Sequence, residues 1–252
     1  MESKKISFKG SQGEQLAARI DKPGKGLEKG AALFAHCFTC SKNLRAVGHI
    51  SQSLTEHGVG IMRFDFTGLG ESEGDFADTN FSSNVDDLVA AAGYMKSEGM
   101  APRMLIGHSL GGAAVLQAAA RIASIEAVVT IGAPCNPKHV QHLLLDKKED
   151  IEKNGEANVQ LAGRQFTIKK QFLDDLAAQK MDEVIQNLGK ALLIFHSPVD
   201  NTVGIDNAAH IYKLAKHPKS FISLDDSDHL LSNEQDAKYV GSVTAVWVDR
   251  YF

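Results

Sequence analysis

Long hydrophobic runs are missing from this 252-residue sequence; stretches such as residues 31–35 and 192–195 are far too short to cross a bilayer. The opening Met-Glu-Ser-Lys-Lys-Ile-Ser-Phe carries no apolar core behind its lysines, so no secretory leader is expected. Cysteine is scarce. Three cannot all pair within one chain, a usage that fits a reducing compartment better than a disulfide framework. No charge sign dominates: 27 Lys and Arg against 31 Asp and Glu leave a net charge of −4, with no field favouring a nucleic acid or an anionic membrane. Internal repeats and low-complexity tracts are absent as well. With 43% hydrophobic and 23% charged residues, the expectation is a globular, cytoplasmic protein long enough to bury one sizeable core.

What is present is an alternation. Two extended segments, 4–9 and 15–21, read as an antiparallel opening pair. Short apolar runs follow at 31–35, 60–64, 104–107, 127–131, 191–196 and 221–224, which read as buried strands. Amphipathic stretches at 44–57, 83–98, 111–122, 205–215 and 235–250 separate them and read as helices. Strands alternating with helices imply βαβ units: an α/β protein with a mostly parallel eight-stranded sheet, its first pair antiparallel, and helices on both faces. Residues 136–188 interrupt the rhythm and are too long for a simple connection. Within them, 139–153 has helical spacing with Val140, Leu143, Leu144 and Ile151 on one stripe, 158–168 reads as a hairpin, and 170–179 and 182–188 read as helices. The division expected is a core of 1–135 and 189–252 with an inserted cap of 136–188.

The segment Leu105-Ile-Gly-His-Ser-Leu-Gly-Gly112 carries the sharpest chemical signal. Gly107-His-Ser-Leu-Gly111 fits G-x-S-x-G, with an apolar strand before it and an Ala-rich helix after it. A nucleophile on so sharp a turn needs neighbours without side chains, and the helix N-terminus offers free N–H groups beside it. Ser109 therefore reads as a nucleophile. A serine hydroxyl needs a base, and the order Ser…Asp/Glu…His selects His229, in the loop after the last strand. The other histidines read differently: His210 and His217 as surface residues, His49 and His57 as structural, His139 and His142 as cap residues rather than a metal pair. His108 points to the wrong side of its turn to act on Ser109. Asp200, just past a buried strand, reads as the acid that orients the imidazole, ahead of Asp225, Asp226 and Asp228 on His229's own loop. Oxyanion donors are expected at the Leu110 amide and in His36-Cys-Phe-Thr-Cys40, where Phe38 is the first choice and Cys37 the second. Cys37 and Cys40 also spell C-x-x-C. With no second pair and no thioredoxin-like context they read as small packing residues rather than a redox or metal site.

Together these residues resemble the α/β-hydrolase superfamily, over essentially the whole chain. Arg63-Phe-Asp-Phe-Thr-Gly-Leu-Gly-Glu-Ser-Glu-Gly74 matches the D-x-x-G-x-G-x-S turn after the fourth strand of many members, where it shapes the site wall. His36-Cys-Phe-Thr-Cys40 is similar to the first motif of cinnamoyl/feruloyl-esterase-like serine hydrolases, with Cys37 in place of their glycine. Phe34–Lys42, Thr79–Val85, Ile131–Pro134, Thr202–Asp206 and His217–Phe221 look like the hydrolase half of bacterial proteins in which an α/β hydrolase precedes an OsmC-like domain. That second domain is not in this sequence.

The reading that follows is a cytoplasmic, bacterial serine carboxylesterase for small to medium esters, working through an acyl-enzyme without cofactor or metal. A thioesterase or amidase with the same residues is the nearest rival, and a binding module that has lost its chemistry the more distant one. Phe38, Phe166, Phe172 and Leu230 are candidate pocket residues, each equally able to be packing. The partner expected is a small ester, with no nucleic acid or membrane; the cap stripe could serve a homodimer.

Overall fold

A computed structural model describes residues 2–24, 28–37, 40–161 and 163–252. The chain opens with β1 (Glu2–Lys9) and β2 (Gln15–Lys22), then runs through β3 (Gly30–Ala35), α1 (Arg45–Glu56), β4 (Val59–Phe64), α2 (Phe81–Ser97), β5 (Met104–His108), α3 (Leu110–Ala118) and β6 (Ala127–Ile131). Next come a 3-10 stretch (Pro137–Lys147), α4 (Lys148–Asn154), β7 (Glu156–Leu161), β8 (Arg164–Lys169), α5 (Lys170–Ala178) and α6 (Met181–Gln186). The chain closes with β9 (Ala191–His196), α7 (Asp206–Leu214), β10 (Lys219–Ser223) and α8 (Glu234–Val248).

Eight strands form one sheet in the order β1-β2-β4-β3-β5-β6-β9-β10, and β7 pairs with β8 separately. β2 is antiparallel to both its neighbours, and the other pairs are parallel. The central strands read as unbroken apolar runs because both sheet faces are covered: every residue of β4, β5, β6 and β9 is buried. Leu33 and Ala35 of β3 point into one core with α2, α3, α7 and the 140–188 segment. Ala32 and Phe34 point the opposite way, into a second core with α1 and α8. Strand order reverses between β3 and β5, so the crevice at their carboxyl ends is the natural place for a site.

Two local expectations differ from the structure. β10 is an edge strand, and Phe221 is 42% exposed, because an edge is covered on fewer sides than the buried strand expected there. Residues 137–147 wind as 3-10 helix with Asn136 capping and Pro137 opening it. Val140 and Leu144 face inward, whereas Leu143, expected on the same stripe, is 44% exposed. Among the described residues, no helix is long and apolar enough to cross a membrane.

Candidate active site

β5 ends at His108 and α3 begins at Leu110, so Ser109 alone makes the turn, at φ 55° and ψ −127°. A non-glycine residue there is strained and must be held. The Ser109 N–H donates to the Ile131 carbonyl at 2.8 Å, and the Ser109 carbonyl accepts from Gly112 N–H at 2.8 Å. The glycines on either side answer to close backbone approach. A Cβ at Gly107 would collide with the Gly111 carbonyl, and one at Gly111 with the carbonyls of Ala35 and His36.

Two loops at the same sheet edge deliver the partners. His229, after β10, brings Nε2 to 3.0 Å from Ser109 Oγ, and its Nδ1 lies 2.7 Å from Asp200 Oδ2. Asp200, after β9, is fixed through its other oxygen, which accepts the Thr202 and Val203 amides at 2.8 and 2.9 Å. Burial pushes the Asp200 carboxyl up, but the hydrogen bond from His229 and those from the two amides outweigh it and hold it below the usual range. An ionised Asp200 accepts from Nδ1–H, which leaves Nε2 as an acceptor facing the serine hydroxyl. The rival acid Asp228 is occupied elsewhere, accepting the Ser232 N–H at 2.7 Å.

The Leu110 amide is the first of α3 and has no partner within its own helix. Ala35 pairs with Gly107 in the sheet, so β3 and β5 end side by side. Phe38, expected as donor and pocket wall, lies outside the described residues. Cys37, the second choice, is buried and lines a slot of about 10 Å³ with His36, Phe66, Phe81, Asn84, Leu110, Gly111 and Ala114.

Four supports escaped the sequence reading. His108 turns away from Ser109, as expected, and its Nε2–H donates to the His229 carbonyl at 2.7 Å. Burial holds its pKa down to about 4, so at neutral pH it is an uncharged donor. His196 donates likewise to the Val203 carbonyl at 2.7 Å, behind Asp200, with burial again lowering its pKa. Gly132, at φ 54°, leaves room for the pair: a Cβ there would stand 3.2 Å from Asp200 Oδ2 and 3.4 Å from His229 Nδ1. Each lies at or just past the end of a core strand, which is the one signal that marks it in sequence. The fourth is the acid of the 63–74 turn. Asp65 accepts the Lys42 ammonium and the Lys42 amide, both at 2.6 Å, and the Glu71 amide at 2.9 Å.

Some expected residues stand elsewhere. Phe172 is 2% exposed, a ring filling the core rather than a pocket wall. Phe166 packs on Phe76 with centroids 4.9 Å apart. Leu230, beside His229, is 42% exposed. His139, expected as a cap residue, has its Nε2 2.8 Å from the Thr202 carbonyl, on the loop that holds Asp200. Cys37 and Cys40 do not act as separate packing residues; a disulfide joins them.

A hydroxyl on an elbow, an imidazole against it and a buried carboxylate behind stand at the carboxyl edge of such a sheet, and the sheet with its helices is that of an α/β hydrolase. The model of the family described as "Serine aminopeptidase, S33" matches residues 28–178, and the chain belongs to that family. The esterase domain of a Rhodothermus marinus protein is 49% identical, with a TM-score of 0.82 over 100% of this chain and 99% of that one. Est1E from Butyrivibrio proteoclasticus, solved with ferulic acid, is 19% identical with a TM-score of 0.82 over 98% and 99%, a likeness of fold. The uncharacterized protein YfhR of Salmonella typhimurium is 24% identical over 233 residues, 91% of this chain and 75% of its own length.

Proposed function

We propose that this chain is a serine carboxylesterase for small to medium esters. One observation carries the reading: His229 bridges Ser109 and Asp200, at 3.0 and 2.7 Å. Ser109 Oγ attacks the ester carbonyl as Nε2 takes its proton, and Asp200 stabilises the imidazolium. The Leu110 amide and one from the loop after β3 receive the negative charge on the carbonyl oxygen. The imidazolium then protonates the leaving alcohol, and water, activated by the same base, frees the acid. Residues 136–188 are read as a cap over this site on the core of 1–135 and 189–252. The esterase named in the Rhodothermus marinus relative supports the ester preference. The cytoplasmic setting is also a proposal, and the paired cysteines weaken its original warrant.

The test is a panel of p-nitrophenyl esters of rising acyl length, with a hydroxycinnamate ester, run on wild type and Ser109→Ala. Turnover in the variant should vanish while its circular dichroism is unchanged; retained turnover overturns the mechanism. A second reading, cleavage of an amide bond, is favoured by the description of the matched family. Rates on an ester and an amide of the same acyl group decide between them.

A further inference from the structure

The segment that follows β3 holds two sulfurs, with the expected second oxyanion donor between them. A disulfide joins Cys37 to Cys40, their Cα atoms 5.3 Å apart, and the Cys40 N–H donates to the Cys37 carbonyl at 3.2 Å. This pair stands in the site itself. β3 lies beside β5 with Ala35 opposite Gly107, and Cys37 lines a slot with Leu110, the residue that follows Ser109. The first turn of α3 rests on the carbonyls of Ala35 and His36, so movement of this segment presses on the nucleophile's helix.

Stability gives little reason for such a bond. The entropy removed from the unfolded chain grows with the ring closed, and a ring with two intervening residues is among the smallest. A domain with two well-filled cores has no need of a staple. The sulfurs are also unequal: Cys37 is 7% exposed, whereas Cys40 is half-buried and open to attack.

We propose that Cys37 and Cys40 are a redox-active pair that exchanges with small-molecule thiols and disulfides, and that the disulfide form is the faster hydrolase. An incoming thiolate attacks the Cys40 sulfur, the Cys37–Cys40 bond breaks, and Cys37 leaves as a thiolate that takes a proton. A second thiolate attacks the external sulfur of the mixed disulfide, and Cys40 leaves and takes the second proton. Two external thiols have become one external disulfide, and two electrons have reached the protein. A small disulfide such as oxidised glutathione reverses both steps. The bond ties Cys37 to Cys40, and an oxyanion donor supplied by this loop is effective only when it is preorganised. Opening the ring loosens a donor without deleting it. Deletion costs about 10²–10³ in kcat, so loosening should cost about tenfold. This second half rests on the hydrolase reading above.

The experiment equilibrates the full chain in buffers of graded reduced-to-oxidised glutathione ratio, quenches with iodoacetamide and locates the alkylated cysteines by mass. In parallel it reads kcat and KM on p-nitrophenyl acetate and the labelling of Ser109 by a fluorophosphonate. Cys37 and Cys40 should become alkylated together in one reversible transition, with kcat falling about tenfold along it and KM changing little. Cys135→Ser should keep the transition, and Cys37→Ser/Cys40→Ser should stay slow at every ratio. Wild type alone carries the test if the double variant fails to fold. Thiols that alkylate fully at every ratio, or at none, overturn the redox pair. A transition that leaves kcat flat overturns its control of the rate. No serine labelling in either form would instead sink the hydrolase reading, which is distinguishable because alkylation is scored separately.

Discussion

Gly132 shows how little space the site leaves at single residues. Its positive φ is one that a side chain rarely adopts, and the nearest atoms to an added methyl belong to Asp200 and His229. Gly132→Ala should therefore lose about 1–3 kcal/mol in denaturant unfolding and about tenfold in kcat, as the imidazole moves off the serine; wild-type kinetics in the variant would show the pair to be tolerant. Legibility at this scale was uneven for a physical reason. The meeting of Ser109, Asp200 and His229 was readable because glycines at fixed neighbouring positions mark so sharp a turn, and because chain order restricts which loops reach it. His108, His196 and Gly132 act through a carbonyl or an empty space, and neither leaves a mark on residue type. The Cys37–Cys40 bond was hidden too, since spacing alone does not say whether two sulfurs face each other.

At the scale of elements, the Asp65 carboxylate ties two loops together. It binds Lys42, at the far end of the segment after β3, and the Glu71 amide in its own turn. Lys42 and Asp65 are 1% and 0% exposed as side chains, so neither charge has water in place of the other. Removing one partner strands the other in the interior. Lys42→Ala should cost about 3–5 kcal/mol in urea unfolding, whereas Lys5→Ala, which frees an exposed contact to Glu71, should cost under about 1 kcal/mol. Equal effects would mean that burial does not govern this cluster. The strands and main helices were legible because apolar runs and amphipathic stretches alternate cleanly. The 137–147 stretch was legible as helical but not as 3-10, because the few apolar positions in 139–153 do not fix the pitch, and Leu143 falls outside the core.

Across the whole molecule, the buried neutral histidines set the response to acid. Burial holds His108 to about 4, and lowers His36 and His196 as well. Between that value and the ordinary imidazole value of about 6.5 the unfolded chain binds the additional proton. The stability from a neutral His108 is thus complete above about pH 6.5 and declines as pH falls toward 4, by roughly 3 kcal/mol in all. Urea midpoints at pH 7 and 4.5 should differ accordingly, and by less in His108→Gln, which keeps a donor and cannot titrate; an unchanged difference would exclude His108 as the source.

The bond from His139 to the Thr202 carbonyl ties the 136–188 stretch to the loop under the acid. The Thr202 amide in turn donates to Asp200, so His139 stands two hydrogen bonds from the carboxylate that faces His229. Loss of that imidazole should therefore be felt at the acid, far along the chain from where the change was made.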